Sequence, residues 1–163
     1  MIQPSDRDTA AMQMALSLAR EMPNPDDIPI AALVVDQQGA VLASAVNERE
    51  ATGDPTAHAE VLALRAAARA RGNWRLADTT LIVTMEPCPM CAGAAQLARV
   101  SAVVFGAWND DYGAAGSMWD VLRDGRLPVQ TEVIGGVLAE ECGELVREFF
   151  RRQRGAKAAR GDL

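Results

Sequence analysis

Apolar residues recur at three- and four-residue steps over positions 9–22, at Ala11, Met12, Ala15, Leu16, Ala19 and Met22. This spacing predicts an amphipathic helix ended by Pro23 and Pro25. Positions 28–35 then form a short β-branched run, Asp36-Gln37-Gln38-Gly39 a turn, and 40–46 a second run, the pattern of an antiparallel hairpin. Positions 47–55 read as loop. From 56 to 71 the chain is Ala-rich and free of breakers until Gly72, with Val61, Leu62, Leu64 and Ala68 on one helical face. A β-like run at 79–85, an Ala-rich helix at 89–98 and an apolar strand at 100–105 follow. The last third reads as a flexible loop at 113–116, one or two helical turns at 118–122, a final strand at 132–138 and a closing helix at 140–154.

Strands alternating with helices predict an α/β fold: a three-layer α/β/α sandwich with parallel pairing at least in its middle, opened by an antiparallel hairpin. At 163 residues, the chain is expected to form one domain spanning 1–163. Hydrophobic residues at 49% and charged residues at 23% exclude a disordered chain or a disulfide-built miniature scaffold. No apolar run approaches bilayer length, and the first residues carry neither a basic nor an apolar leader segment, so a cytoplasmic protein without membrane association is expected.

A net charge of −6 argues against binding nucleic acid by bulk electrostatics alone. The charge is uneven, however. From 147 to 160, Arg147, Arg151, Arg152, Arg154, Lys157 and Arg160 face a single acid, Glu148, so the closing helix and tail, about 140–163, carry a basic end on an acidic body. A solvated helix end whose cations complement the macrodipole is the plain reading of that end.

The chain's only histidine, His58, is followed by Glu60 and later by Pro87-Cys88-Pro89-Met90-Cys91. Two thiolates with two residues between them chelate compactly, and one imidazole completes three ligands suited to Zn²⁺, leaving the fourth tetrahedral position open. An open position implies catalysis rather than a structural site. His58 is expected in the first turn of the second predicted helix, and both cysteines at the start of the third, where the positive end of the helix dipole favours thiolates. Glu60, close to the open position without being a ligand, is expected to exchange protons with a zinc-activated water. Attack on an electrophilic sp² carbon bearing an amine is hydrolytic deamination, the chemistry associated with His-x-Glu…Pro-Cys-x-x-Cys. A lone Cys-x-x-Cys could be a redox pair, but His58 and Glu60 weigh against that. Cys142 has no partner motif and reads as a small buried residue.

At Asp54-Pro55-Thr56-Ala57-His58-Ala59-Glu60 and at Glu86-Pro87-Cys88-Pro89-Met90-Cys91-Ala92-Gly93-Ala94 the chain resembles the cytidine deaminase superfamily, and within it the branch acting on adenosine in tRNA. Trp74-Arg75-Leu76, Val103-Val104-Phe105-Gly106-Ala107, Gly113-Ala114-Ala115-Gly116-Ser117 and Phe149-Phe150-Arg151 extend the likeness over nearly the whole chain. The resemblance implies a five-stranded mixed sheet, a homodimer, one catalytic Zn²⁺ per subunit held by His58, Cys88 and Cys91, and Glu60 as proton shuttle. The implied reaction is adenosine to inosine at the first anticodon position, position 34, of a tRNA anticodon stem-loop. It also implies that Asn47 holds the target base, that Pro29 lies beside the pocket, and that RNA is contacted by the loop containing Asn109 and by Phe150 and Arg154 on the closing helix. Three departures stand out: Trp108-Asn109 where the family has a basic or small residue and then aspartate, Ala31 in place of glycine, and Glu48 after Asn47.

Two other functions fit parts of the pattern. A free nucleobase deaminase, such as a guanine deaminase, would share Pro-Cys-Pro-Met-Cys and suit the acidic pI, but has no need of the Phe-Phe-Arg helix and its basic end. A zinc-stabilised RNA-binding module without catalysis would leave Glu60 without a purpose.

Overall fold

A computed structural model describes residues 3–160, so Met1, Ile2 and the last three residues of the basic end lie outside the described residues. Strands β1 (Ala31–Asp36) and β2 (Val41–Val46) form the expected antiparallel hairpin. On its other side β1 pairs antiparallel with β3 (Thr79–Met85), Leu33 opposite Ile82. The sheet then turns parallel: β3 pairs with β4 (Ala102–Ala107) and β4 with β5 (Glu132–Ile134), giving the order β2-β1-β3-β4-β5.

Alternation along the strands divides the core between two faces. Ala32, Val34, Leu81, Val83, Val103 and Phe105 point to one face, which α3 (Ala59–Arg71) and α4 (Pro89–Ala98) cover. Leu33, Val35, Ile82, Val104 and Ile134 point to the other, beneath α1 (Asp6–Arg20) and α5 (Ala139–Arg160). This is the expected three-layer α/β/α sandwich with a five-stranded mixed sheet. Phe105, fully buried at the centre of β4, contributes about 1.5–3 kcal/mol by burial alone.

The elements depart from the sequence expectation in specific places. Helix α1 begins three residues early because Ser5 and Asp8 form a reciprocal capping box, Ser5 Oγ accepting from the Asp8 amide and the Asp8 carboxylate from the Ser5 amide. Strand β1 begins at Ala31 rather than 28, since Pro29 has no N–H to give a ladder. The buried face of α3 runs through Ala59, Glu60, Ala63, Leu64 and Ala67, leaving Val61 and Leu62 half-buried at its edge. Residues 118–122 are not helical. Their amides fold back across a turn, with Trp119 N–H on Gly113 O and Val121 N–H on Ala114 O. Strand β5 stops at Ile134 because Gly135 and Gly136 follow: a side chain on Gly135 would enter the Phe105 ring, and Gly136 adopts φ +85°. Helix α5 continues through Gly155 to Arg160.

The expected loop at 47–55 contains a short helix, α2 (Arg49–Thr52). Its own N-cap residue, Glu48, makes no side-chain cap. The cap comes instead from Asp27, which is buried and accepts from the Glu50 amide at 2.8 Å and the Ala51 amide at 3.0 Å. A cap supplied from so far back in the chain leaves no local signal in the sequence.

Candidate metal and catalytic site

Two helix N-termini converge to form the site. His58 is the N-cap of α3, with extended backbone at φ −75° and ψ 147°, one position before the first turn where the sequence had placed it. Cys88 is the N-cap of α4, Pro89 occupies the first turn as its fixed φ allows, and Cys91 follows within that turn. Neither N-cap side chain makes a capping hydrogen bond, and the imidazole and the thiol face each other.

His58 Nδ1 lies 3.7 Å from Cys88 Sγ and 3.5 Å from Cys91 Sγ, and the three donor atoms all fall within 4.8 Å of one another. Zinc–ligand bonds of ordinary length at tetrahedral angles set donor separations of roughly 3.5 Å for nitrogen–sulfur and 3.8 Å for sulfur–sulfur. The donor set therefore fits Zn²⁺ in both chemistry and spacing.

The electrostatics describe a pocket prepared to exchange protons for a cation. The Cys91 thiol donates to Cys88, and this bond above all pulls the Cys88 pKa down to about 4. Cys91, as donor and deeply buried, is pushed far up. His58 is raised by its hydrogen bond with Cys88 against the opposing effect of burial. In the metal-free pocket these contacts favour negative charge on Cys88 and retained protons on Cys91 and His58. A dication takes the place of those protons. Glu60, in the first turn of α3 and almost wholly buried, is raised to about 7, chiefly by loss of solvent, and reaches the Cys91 thiol.

Asn47 follows β2 and grips both sides of Pro29: its amide N–H donates to Ile30 O at 3.0 Å and its Nδ2 to Ile28 O at 3.4 Å. Its Oδ1 is buried and is the one such side-chain atom without a partner among the described residues. Pro29 also lines a cavity of about 390 Å³ with Arg20, Phe149 and Arg152, between α1, the segment before β1 and α5.

Asn109 is half-buried and uses Oδ1 to accept from the Tyr112 amide, closing the start of the 109–117 loop. On α5, Phe149 turns into the core while Phe150 stays exposed, their rings edge-on at 5.3 Å. Arg154 is exposed on the layer opposite α3 and α4. Among the described residues no hydrogen bond or ring contact joins Phe150 or Arg154 to the His58 cluster. Arg147 and Arg151 spend their charge within α5, on Glu140 and Glu144, so the basic end is less free than its composition suggests. Sequence reasoning missed Asp27 and Glu86 as organising groups. Glu86 is buried, and its carboxylate accepts three backbone amides of the 109–117 loop.

Residues 5–107 match the family model for the cytidine and deoxycytidylate deaminase zinc-binding region. The tRNA-specific adenosine deaminase of Bacillus subtilis (strain 168) is 44% identical over 158 residues, 96% of this chain and 98% of that protein. A solved structure from work on A-to-I editing by tRNA:A34 deaminases at the wobble position superposes with a TM-score of 0.78 at 35% identity, covering 84% of this chain and 99% of that one. The guanine deaminase of Nitrosomonas europaea superposes with a TM-score of 0.75 at 26% identity, covering 91% and 86%.

Proposed function

The chain belongs to the cytidine and deoxycytidylate deaminase family, and on that premise we infer that it converts adenosine to inosine at wobble position 34 of tRNA by zinc-dependent hydrolysis. The observation that carries the chemistry is Glu60, a buried carboxylate beside a three-donor set that leaves a tetrahedral cation one position short. One Zn²⁺ per subunit, held by His58, Cys88 and Cys91, supplies Lewis acidity that makes a water nucleophilic near neutral pH.

Glu60 does the proton work. Its burial raises its pKa above the usual carboxylate range, which suits a group that both accepts a proton from the attacking water and returns one to the base. Across the reaction, water adds its oxygen to the purine carbon bearing the amine. Glu60 carries protons to the ring nitrogen and to the departing amine, and ammonia leaves. Asn47 offers its unpartnered Oδ1 to a donor on the target nucleoside, and Pro29, which it clamps, forms the adjoining wall. An adenosine must leave its stack to reach a site this buried, which suits a single-stranded loop.

Several features support RNA over a free base. The likeness to the B. subtilis tRNA enzyme runs through almost the whole chain, α5 included, whereas identity to the guanine deaminase is lower. The exposed Phe150, with Arg152, Arg154 and Lys157 on α5, and the exposed Trp108 and Tyr112 near Asn109 offer stacking and phosphate contacts. The outer face of α4 exposes Met90 and Leu97, with open space above Gly93, a small apolar surface suited to a second copy of the chain in a homodimer. No helix among the described residues is long and apolar enough to cross a membrane, and the compartment that goes with a tRNA substrate is the cytoplasm. Zinc-loaded protein offered an A34 stem-loop, guanine, cytidine and free adenosine together tests the assignment. Conversion of the stem-loop supports it, and conversion of guanine alone overturns it.

A further inference from the structure

Glu86 sits at the end of β3, two residues before Cys88, and its side chain is buried without an ion-pair partner among the described residues. A carboxylate there has to be satisfied by other means. Three backbone amides do this: Oε2 accepts from Asn109, and Oε1 from both Ala115 and Ser117, each at 3.0 Å. Convergent N–H groups of this kind form a nest around an anion and hold an otherwise irregular loop in one shape.

The same loop is tied to the turn that bears the metal ligands, since the Ala114 amide donates to Pro87 O at 2.8 Å. It is also closed on itself. The Gly113 amide and the Ser117 hydroxyl both donate to Asn109 O, at 2.8 and 2.9 Å. Gly113 stands where the packing is tightest, because a Cβ there would overlap Ser117 Oγ and the Glu86 carboxylate.

What the loop presents is unusual in this chain. The sequence has three Trp, one Tyr and three Phe, and Trp108, Tyr112 and Trp119 all lie on this segment, 50%, 67% and 47% exposed. Trp108 is anchored edge-on against the buried Phe105 ring at 4.8 Å, and the exposed parts of the three side chains offer surfaces on which bases can stack beside the ligand-bearing turn.

We propose that Glu86 is a positioning residue that fixes the 108–119 loop against the ligand-bearing turn and thereby sets how tightly the RNA substrate is held, without entering the chemistry. The proposal rests on the reading that RNA is the substrate. Its prediction is a split between binding and turnover.

Two zinc-loaded variants approach the junction from opposite sides. Glu86→Gln keeps the shape but turns an NH₂ toward amide donors. Gly113→Ala leaves Glu86 intact and forces the loop away from it, so it carries the test if the Glu86 variant fails to fold. Both are expected to keep zinc at the wild-type level, to exchange the Ala115 and Ser117 amides at least ~tenfold faster, and to raise KM for the A34 stem-loop about tenfold with kcat within about twofold. An unchanged KM despite faster exchange overturns the proposal. So does a loss of zinc with kcat falling in step with kcat/KM, because Glu86 would then serve the ligand turn itself. If the wild type leaves the stem-loop unconverted, the substrate reading fails separately. Amide exchange as slow as wild type in both variants then also overturns the positioning role.

Discussion

Asp27→Asn isolates a link between the fold and the pocket that has no metal in it. The Asp27 carboxylate is 1% exposed and accepts from the Glu50 amide at 2.8 Å, the Ala51 amide at 3.0 Å and Asn24 Nδ2 at 2.9 Å. The amide side chain keeps one acceptor and turns two N–H donors toward the others, so at least one charge-assisted bond is lost and the survivors become neutral. Glu50 and Ala51 are themselves exposed, and water replaces part of what is lost. The net cost is therefore about 2 kcal/mol, at the low end of the range for bonds to a charged group. For a chain of this length that lowers Tm by about 4–8 °C, measurable by calorimetry on zinc-loaded protein. A four-residue helix has no stability of its own, so α2 should loosen first, and Asn47, two residues before it, should follow. A raised KM with intact zinc content is the expected functional signature. A Tm within 1 °C of wild type would refute the claim that Asp27 holds this segment.

Three further outcomes follow from the site and its surroundings. Glu60 must be ionised to accept a proton, and a bound cation lowers its pKa from the metal-free value of about 7, so kcat should fall with acid only below pH 7. An acid limb centred above pH 7 in a kcat profile contradicts that role. Because Cys91 and His58 both hold protons more tightly than usual in the metal-free pocket, zinc uptake should release protons and weaken as pH falls, which calorimetry in buffers of different ionisation enthalpy reads directly. Uptake with no proton release would mean that the pocket is not protonated as described. Truncation after Phe149 removes Phe150, Arg152, Arg154 and Lys157 while leaving the ligands in place, so zinc content should persist while RNA affinity and its salt dependence fall. An unchanged salt slope would make that end a solvated helix terminus only.

The sequence made legible whatever depends on local spacing. The β-branched run at 79–85 and the Ala-rich stretch at 89–98 gave β3 and α4 their bounds, and the His58, Glu60, Cys88 and Cys91 spacing pointed to side chains that the fold does bring together. What escaped is long-range and carried by backbone. Asp27 caps α2 across more than twenty residues, and Glu86 organises a loop through three amides whose side chains include an alanine and a serine of no chemical distinction. No periodicity encodes such contacts. The segment 118–122 departs from expectation for the same reason: Met118, Val121 and Leu122 mimic a helical stripe, yet the Trp119 and Val121 amides donate back to Gly113 O and Ala114 O. The apolar pattern of β5 runs past Gly135 in the sequence, and only the bulk of Phe105 on the neighbouring strand forbids a side chain there.

The most direct measurement is single-turnover formation of inosine at position 34 of an anticodon stem-loop by wild type and Glu60→Gln, compared at equal zinc content. The side chain is buried and the replacement nearly isosteric, so fold and metal should be retained while the proton carrier is lost. Loss of a general acid–base group of this kind slows the step by about 10²–10⁴-fold. Inosine from wild type with a drop of that size in the variant is the predicted result. Comparable inosine formation by the two proteins would contradict the account at its centre.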